Sequence, residues 1–215
     1  MDYTLIVNEI FRSIQGEGTR AGRPCVLVRL SGCNLACDWC DTAYARNEGT
    51  PMSVDAILEA VAALGGPLVE VTGGEPLLQP ATPNLLTALC DAGYETLLET
   101  NGSLDIAGLD ERVVRIVDFK CPSSGQSAAN RWDNVKCLRR GDEVKFVIAD
   151  RADYEMARGA AAEHDLPRRC EVIFSPVSGC LSGADLAEWI LQDKLDVRLG
   201  LQLHKILWPA AKRGV

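Results

Sequence analysis

Short apolar segments recur along the chain and predict buried strands. Their length and their content of valine, isoleucine and leucine are typical of strands inside a sheet. A further stretch at 5–14 predicts an extra strand ahead of this series. The series itself comprises residues 25–30, 68–72, 94–100, 113–119, 144–149, 170–174 and 197–203.

Between several of these segments, apolar residues follow helical spacing. Ser53 is typical of an N-cap and precedes an apolar set at 54, 57, 58, 61 and 64, and similar sets occur at 85, 86 and 89 and at 186, 189 and 190. Strands that alternate with helices indicate βα units and a parallel sheet. We therefore expect an α/β fold: a partial or modified TIM-like (β/α) barrel of about six parallel strands with an N-terminal extra strand.

The chain shows no internal repeat, no low-complexity tract and no linker long enough to separate two folding units. Its 215 residues suffice for one substantial core. The sequence therefore predicts one domain spanning 1–215.

Composition narrows the functional classes. Thirty acidic residues against 22 basic ones give a formal net charge of −8. Proteins whose affinity depends on neutralising phosphates normally concentrate lysine and arginine, so we expect no nucleic-acid partner and no anionic membrane. The apolar runs are too short to span a bilayer, and Asp2 and Glu9 do not fit a secretory signal. The expected location is the cytoplasm.

Polar residues of unusual type follow the predicted strands. In a parallel barrel the carboxyl ends of all strands share one rim, where active sites are built. One cofactor could therefore contact most of these positions. They are residues 33–40, 72–75, 99–103, 120–124, 175–176 and 204.

Nine cysteines, an odd number, argue against a disulfide framework in a chain of this length. Cys33, Cys37 and Cys40 crowd into eight residues on the loop after the first barrel strand, within a predicted cluster loop at 31–43. Three thiolates from one loop suit a [4Fe–4S] cluster whose fourth iron accepts an external ligand. The alternative is a structural zinc site, completed by a distant fourth ligand. The candidates for that ligand are Cys121, Cys180 and His204.

The C-x3-C-x-W-C run at 33–40, followed by Thr-Gly-Gly-Glu-Pro at 72–76, resembles the radical S-adenosylmethionine (SAM) superfamily. The resemblance implies a [4Fe–4S] cluster on Cys33, Cys37 and Cys40, with the amino and carboxylate groups of SAM on the open iron. One-electron reduction then cleaves SAM to a 5′-deoxyadenosyl radical. Because the radical is generated on SAM, no catalytic side chain is assigned.

Several residues are predicted to contact SAM. Gly73 and Gly74 let backbone approach a ligand, and Glu75 suits the methionyl ammonium. Trp39 is expected to shield the cluster and abut the adenine. The remaining predicted SAM contacts are Asn101 and Ser103 on a strand-end turn, Lys120 as a cation that needs an anionic neighbour, and Ser175 on the rim.

Further segments resemble the family of 7-carboxy-7-deazaguanine synthases, which serve queuosine and 7-deazapurine biosynthesis. They are residues 9–18, 22–24, 29–35, 40–42, 99–103 and 202–205. The resemblance implies conversion of 6-carboxy-5,6,7,8-tetrahydropterin to 7-carboxy-7-deazaguanine. The radical abstracts hydrogen at C6, the ring contracts and ammonia is lost, so the enzyme is a carbon–nitrogen lyase. It also implies Mg²⁺, with Thr42 as its protein ligand.

The chemistry of a pterin can be matched to particular side chains. Glu17 can accept from the 2-amino group and ring N–H, and Gln15 offers both a donor and an acceptor. Arg29 suits the substrate carboxylate, and His204 can donate to an oxygen. Thr72 completes the predicted substrate set. Taken alone, residues 15–18 are also typical of a turn, and Arg29 of a surface ion pair.

Two other functions remain open at this stage. A glycyl-radical activating enzyme shares the cluster and the Gly-Gly-Glu motif but acts on a protein. A non-catalytic zinc or iron–sulfur module requires no SAM. The preferred interpretation implies a small-molecule pterin, an electron donor such as flavodoxin or ferredoxin, and a homodimer. A substrate-contacting tail is expected at about 204–215.

Overall fold

The computed structural model describes residues 3–208 and 213–214. Its frame is one nine-stranded sheet with the order β3-β1-β2-β4-β5-β6-β7-β8-β9. The strands are β1 (Thr4–Ile14), β2 (Pro24–Leu30), β3 (Thr50–Ser53), β4 (Leu68–Gly73), β5 (Glu95–Thr100), β6 (Val114–Phe119), β7 (Glu143–Ile148), β8 (Glu171–Pro176) and β9 (Arg198–Leu199).

Six α-helices are found within the described residues. They are α1 (Val54–Leu64), α2 (Thr82–Asp91), α3 (Arg151–Glu163), α4 (Leu166–Arg169), α5 (Gly183–Gln192) and α6 (Leu203–Leu207). None is long and apolar enough to cross a membrane.

The sheet is parallel over most of its width. From β2 through β9 every neighbouring pair is parallel, whereas β1 runs antiparallel to both β2 and β3. β3 and β9 lie at opposite edges, so the barrel stays open. This confirms the predicted partial barrel with an extra N-terminal strand.

Local sequence explains where the first helix begins and ends. The hydroxyl of Ser53 accepts a hydrogen bond from the backbone N–H of Ala56 at 3.2 Å, as predicted for an N-cap. Ile57 and Val61 are fully buried on the face that packs against the sheet. Gly65 has a φ of +71° and ends the helix, since a positive φ is easily adopted only by glycine.

The strand predicted at 197–203 is wrong over most of its length. Only Arg198–Leu199 pairs with β8, and Leu203 begins α6, so His204 lies on a short helix rather than at a strand end. A tertiary contact accompanies this change: the backbone N–H of Leu203 donates to the carbonyl of Gly16 at 3.0 Å, so the chain after β9 packs against the N-terminal segment and does not continue along the sheet edge.

Candidate active site

The cluster loop follows β2 and lies at the carboxyl-end rim of the sheet. Cys33, Cys37 and Cys40 are all half-buried, and none forms a disulfide. The thiol of Cys33 accepts from the backbone N–H of Leu35 at 3.4 Å and from Nδ2 of Asn101 at 3.9 Å. Donors directed at sulfur are what a thiolate-bound iron–sulfur cluster requires, so the loop fits that group.

The alternative zinc ligands are placed less suitably. Cys121 is fully buried, and burial raises the pKa of its thiol well above the ordinary value, which disfavours the thiolate that zinc needs. Cys180 is exposed. Within residues 3–208 and 213–214, no group of three or more His, Cys, Asp or Glu side chains is arranged to hold a metal ion, and this applies to Cys33, Cys37 and Cys40 as well as to the zinc candidates.

Gly73 and Gly74 allow β4 to pass closely beneath the cluster loop. A β-carbon at Gly73 would lie 2.7 Å from the backbone nitrogen of Leu30, and φ at this residue is +147°. One at Gly74 would overlap the carbonyl oxygen of Gly32 and lie 2.7 Å from the β-carbon of Cys33. The two glycines therefore set the distance between β4 and the loop that carries the cysteines.

Glu75 is fully buried and accepts several hydrogen bonds from the protein itself. Its carboxylate accepts from the hydroxyl of Thr100 at 2.9 Å, from the backbone N–H of Asn101 at 2.7 Å and from that of Leu77 at 2.9 Å. Burial raises the pKa of Glu75, and these bonds act in the opposite direction. Glu75 thus anchors the turn after β5, while its predicted contact with the methionyl ammonium stays a prediction.

That turn extends to the cysteine loop through amide and hydroxyl groups. Oδ1 of Asn101 accepts from the backbone N–H of Ser103 at 3.0 Å and from its hydroxyl at 2.7 Å. Nδ2 of Asn101 donates to Asn34 at 3.1 Å, and Asn34 in turn donates to the Ser103 hydroxyl at 2.9 Å. Two predicted SAM residues, Asn101 and Ser103, therefore lie together beside Cys33.

Lys120 provides a buried cation on the same rim. Its ammonium lies 2.9 Å from Oδ2 of Asp118 and 5.8 Å from the ring centre of Trp39. Burial lowers the pKa of Lys120, but Asp118 and the nearby Cys37 raise it above the ordinary value. The second oxygen of Asp118, Oδ1, is buried and has no partner among the described residues. A cation beside the cluster loop and a free buried acceptor both suit a charged ligand.

Trp39 and Ser175 complete the predicted SAM set. Trp39 Nε1 donates to the hydroxyl of Ser123 at 3.2 Å, which fixes the indole between two cluster cysteines. Ser175 is buried at the end of β8, where a β-carbon at Gly200 would lie 2.6 Å from its hydroxyl. In the sheet, β8 lies several strands away from β2, the strand that precedes the cysteine loop, so Ser175 lies across the sheet from the cysteines.

The predicted pterin residues gather beside this rim. Gln15 is buried; its Nε2 donates to Glu70, and its Oε1 accepts from the backbone N–H of Glu17 at 3.1 Å. Glu17 accepts from Lys145 at 2.8 Å and from Gln202 at 2.8 Å. Burial alone raises the pKa of Glu17, but Lys145 and these bonds hold it below the ordinary value. Glu17 is therefore a carboxylate at neutral pH.

Arg29 and Thr72 are direct neighbours on β2 and β4. Arg29 Nε donates to Glu9 at 2.8 Å, and only 12% of the arginine side chain is exposed, so this is not a surface ion pair. The hydroxyl of Thr72 donates to Glu99 at 3.2 Å. Both residues therefore lie on the inner face of the site with fixed orientations.

His204 and Thr42 connect the pterin residues with the cysteine loop. The imidazole of His204 packs against Gly16, so the last short helix touches the N-terminal motif directly. The next residue, Lys205, forms a 3.0 Å ion pair with Asp41 in the cluster loop. The hydroxyl of Thr42 lies 3.9 Å from the sulfur of Cys40.

Sequence reasoning missed several residues of the site. Lys145 and Glu70 are polar residues inside apolar strands, and a charged residue in that context is itself a signal, because charges are rarely buried without a partner. Gln202 precedes His204 within a motif already noted. Glu9 shares its carboxylate between Arg29 and the hydroxyl of Tyr44, a contact that local sequence does not reveal.

The family model that matches the chain describes the radical SAM superfamily and covers residues 27–122. Among curated proteins, the 7-carboxy-7-deazaguanine synthase of Koribacter versatilis is 46% identical, covering 97% of this chain and 99% of that protein. The protein of the same name from Chlorobaculum tepidum is 48% identical, covering 98% and 97%.

Solved structures give the same picture of the fold. QueE from Escherichia coli aligns with a TM-score of 0.77 over 93% of this chain and 94% of that one, at 21% identity. SuiB from Streptococcus suis, in a structure bound to S-adenosylmethionine, aligns with a TM-score of 0.54 over 78% of this chain and 44% of that one, at 15% identity.

Proposed function

Because the chain belongs to the family of 7-carboxy-7-deazaguanine synthases within the radical SAM superfamily, we propose that it converts 6-carboxy-5,6,7,8-tetrahydropterin to 7-carboxy-7-deazaguanine. The reaction contracts the reduced ring and releases ammonia, which makes the enzyme a carbon–nitrogen lyase. The product belongs to queuosine and 7-deazapurine biosynthesis.

One observation carries this proposal: residues from the two ends of the chain meet beside the cysteine loop. His204 packs against Gly16, the residue between Gln15 and Glu17 in the sequence. Lys205 pairs with Asp41, which is next to Cys40. A cluster loop alone is shared by many radical enzymes. A polar cluster formed beside that loop by an N-terminal Gln-Gly-Glu-Gly segment and a C-terminal histidine suits a small heterocycle.

Each side chain of this polar cluster has a role that its chemistry supports. The Glu17 carboxylate accepts from the 2-amino group and ring N–H of the pterin. Gln15 is oriented by Glu70 and by the backbone N–H of Glu17, so its position is set before a ligand arrives. Arg29 is held at Nε by Glu9, and its terminal nitrogens are proposed to pair with the pterin carboxylate. Thr72 and His204 supply further polar contacts.

In this proposal Cys33, Cys37 and Cys40 would hold a [4Fe–4S] cluster with SAM bound beside it. When bound and reduced, the two would supply the radical chemistry that abstracts a hydrogen atom from C6 of the pterin. The chain's own residues position and shield the cofactor. Trp39 covers the cluster, Asn101 and Ser103 offer oxygen and nitrogen contacts, and Lys120 offers a cation. Gly73, Gly74, Glu75 and Ser175 complete the proposed SAM site.

Mg²⁺ is proposed as an additional cofactor, with Thr42 as its ligand from the protein. The Thr42 hydroxyl is half-buried beside Cys40, and Asp41 next to it provides negative charge. Hydroxyl and carboxylate oxygens suit magnesium, which usually retains several waters. This role rests on the family resemblance together with the placement of Thr42.

The remaining proposals concern partners and context. We propose a single domain of residues 1–215, a homodimer, a cytoplasmic location, and a flavodoxin or ferredoxin as reductant. The net charge of −8 does not favour nucleic acid or an anionic membrane as a partner. The predicted substrate-contacting tail begins at His204 inside the described region, but residues 209–212 and 215 lie outside it.

The decisive test is anaerobic turnover. The cluster is reconstituted, and the protein is incubated with 6-carboxytetrahydropterin, SAM, Mg²⁺ and dithionite while the deazaguanine chromophore and its mass are followed. The proposal predicts product, and predicts none when SAM is omitted. Absence of product from a protein with full iron and sulfide would contradict the specific reaction.

Two variants separate cluster assembly from substrate binding. Glu17→Gln should retain full iron content and lose pterin affinity, whereas Cys33→Ala should lose the cluster. Cys90→Ala is the matched control, because Cys90 is buried within α2 away from the loop. A colourless protein with stoichiometric zinc would support the non-catalytic module instead. Formation of 5′-deoxyadenosine with a protein partner but not with the pterin would support a glycyl-radical activating enzyme.

A further inference from the structure

Lys145 contacts the proposed pterin ligand Glu17 and has no role in the chemistry described so far. It lies within β7 and is more than nine-tenths buried. Its ammonium lies 2.8 Å from Oε2 of Glu17, contacts Oε1 of Glu99, and is 3.6 Å from Oδ2 of Asp118. The negative charges of these three carboxylates offset the cost of burying the positive charge of the lysine.

These contacts connect Lys145 to two of the proposed pterin ligands. Glu17 is a direct partner, and Thr72 is reached through Glu99, whose second oxygen accepts from the Thr72 hydroxyl at 3.2 Å. One ammonium therefore links the N-terminal segment, β5 and, through one carboxylate, β4. Removing it would take a partner directly from Glu17 and from Glu99, the residue that Thr72 contacts.

Glu17 keeps acceptor capacity despite these bonds. A carboxylate has about four lone-pair positions. Lys145 occupies one position on Oε2, and Gln202 occupies one on Oε1. Two positions remain for the 2-amino group and ring N–H of a pterin, but only while Glu17 carries its negative charge.

We infer that Lys145 is a positioning residue for the pterin: its buried ammonium keeps Glu17 in the charged, accepting form and ties it to the Glu99–Thr72 pair. The inference rests on the proposed function and adds a specificity-determining residue to it. Lys145 itself need not touch the substrate.

The charges around Glu17 agree with this role. His204 on α6 and Lys145 on β7 favour its charged form, whereas burial opposes it. The neighbouring Glu70 on β4, whose pKa is raised to about 8, is largely protonated below that pH and adds little negative charge. Lys145 also faces Glu99, Asp118 and Lys120. The pKa of Lys145 lies well above its ordinary value, because its carboxylate neighbours outweigh the effect of burial. Without Lys145, burial would raise the pKa of Glu17.

The first test needs no pterin. In the reconstituted protein labelled with ¹³C at glutamate carboxyl groups, the Glu17 resonance is assigned by its loss in Glu17→Gln and followed between about pH 6 and 8. Wild type and Lys145→Arg should show a carboxylate throughout. Lys145→Met and Lys145→Gln should show Glu17 taking up a proton as the pH falls. Titration of Glu17 within this range in the wild type would overturn the inference, as would an unchanged carboxylate in both neutral variants.

The second test measures the dissociation constant of 6-carboxytetrahydropterin with SAM present and no reductant. Wild-type affinity should be nearly constant over the same pH range. Affinity of Lys145→Met should fall up to about tenfold per pH unit below the raised pKa of Glu17, because binding then requires loss of one proton. Lys145→Arg should restore the flat profile. Lys136→Met is the matched control, since Lys136 is exposed and pairs only with Asp133 among the described residues.

The possible outcomes separate the two proposals. A wild-type protein that binds no pterin contradicts the proposed function, and the resonance of Glu17 still decides whether Lys145 keeps Glu17 charged. A neutral variant that loses affinity equally at every pH shows a purely structural lysine and contradicts the inference. Circular dichroism and iron content identify variants that do not fold. If the neutral variants do not fold, the titration of Glu17 in the wild type and in Lys145→Arg still decides the inference about Lys145.

Discussion

The imidazole of His204 packs directly on the α-carbon of Gly16. A β-carbon at Gly16 would overlap Nδ1 of the ring and lie 3.3 Å from its Cγ. These two residues stand 188 positions apart, and their contact joins α6 to the segment that carries Gln15 and Glu17. The fit explains why a residue without a side chain lies between two proposed pterin ligands.

Gly16→Ala should therefore displace His204 and weaken pterin binding. The backbone of Gly16 does not require a positive φ, so the effect is steric and local. Loss of one oriented hydrogen bond corresponds to about 1 kcal/mol, or a KM raised about five- to tenfold with an intact cluster. Steady-state kinetics and iron analysis measure both effects.

Gly159→Ala is the matched control. Gly159 lies within α3 with nothing near its missing β-carbon, so alanine should stabilise the helix by about 0.5–1 kcal/mol and leave KM unchanged. A wild-type KM in Gly16→Ala would show that the His204 contact does not matter for the substrate.

Gly74→Ala should impair cluster assembly rather than pterin binding. Its β-carbon would overlap the Gly32 carbonyl and crowd Cys33, which lies on the loop that carries all three cysteines. Overpacking of this kind costs about 1–3 kcal/mol and displaces the loop. Iron and sulfide content after reconstitution should fall well below wild type, while the circular dichroism of the fold is retained. Full cluster content would contradict this expectation.

Glu70 should make the folded protein lose stability as the pH rises. Burial, followed by the charge of Glu99, raises the pKa of Glu70 to about 8. The folded state therefore holds a proton that the unfolded state releases near its ordinary pKa of 4.5. Between these values the unfolded state binds fewer protons, so the free energy of unfolding decreases with rising pH, by on the order of a few kcal/mol in total.

Glu70→Gln removes this ionisation and keeps an acceptor for Gln15. Anaerobic denaturant unfolding between about pH 5 and 8 should show the variant gaining stability relative to wild type as the pH rises. Glu111→Gln, an exposed glutamate, is the control and should follow the wild-type curve. If the free energies of unfolding of Glu70→Gln and wild type differ by the same amount at every pH, Glu70 does not titrate within this range.

Asp153 should matter for the cluster although it lies on α3. Its carboxylate accepts from the backbone N–H groups of Ser123 and Ala149, each at 2.9 Å, and from the Ser123 hydroxyl. The same hydroxyl accepts from Trp39 Nε1 at 3.2 Å. An asparagine here would direct an NH₂ group at a donor, which costs about 1–3 kcal/mol.

Asp153→Asn should therefore lower the free energy of unfolding by that amount and speed the bleaching of the cluster by a chelator, because Trp39 loses its oriented partner. Asp185→Asn on the exposed first turn of α5 is the matched control and should change stability by less than about 0.5 kcal/mol. If the cluster of Asp153→Asn bleaches at the wild-type rate, the position of Trp39 does not depend on the bonds that Asp153 makes to Ser123.

Much of the fold followed from local pattern. The apolar runs at 25–30 and 68–72 became β2 and β4, and Ser53 caps α1 as predicted. The region around His204 could not be predicted in this way. An edge strand has one neighbour only, and here the pairing with β8 ends at Leu199 while the following residues contact Gly16, 187 positions before Leu203, a contact that local sequence does not reveal.

The sequence by itself determined the chemistry: three cysteines at cluster spacing, a Gly-Gly-Glu strand end, and the residue types that suit a pterin. Only the tertiary structure decided how these groups are used. Glu75 anchors a turn, Gly74 makes room for the cysteine loop, and Lys145 supports Glu17. The physical reason is that ligand identity depends on atom type and spacing, which are local, whereas orientation and charge state depend on neighbours that lie far away along the chain.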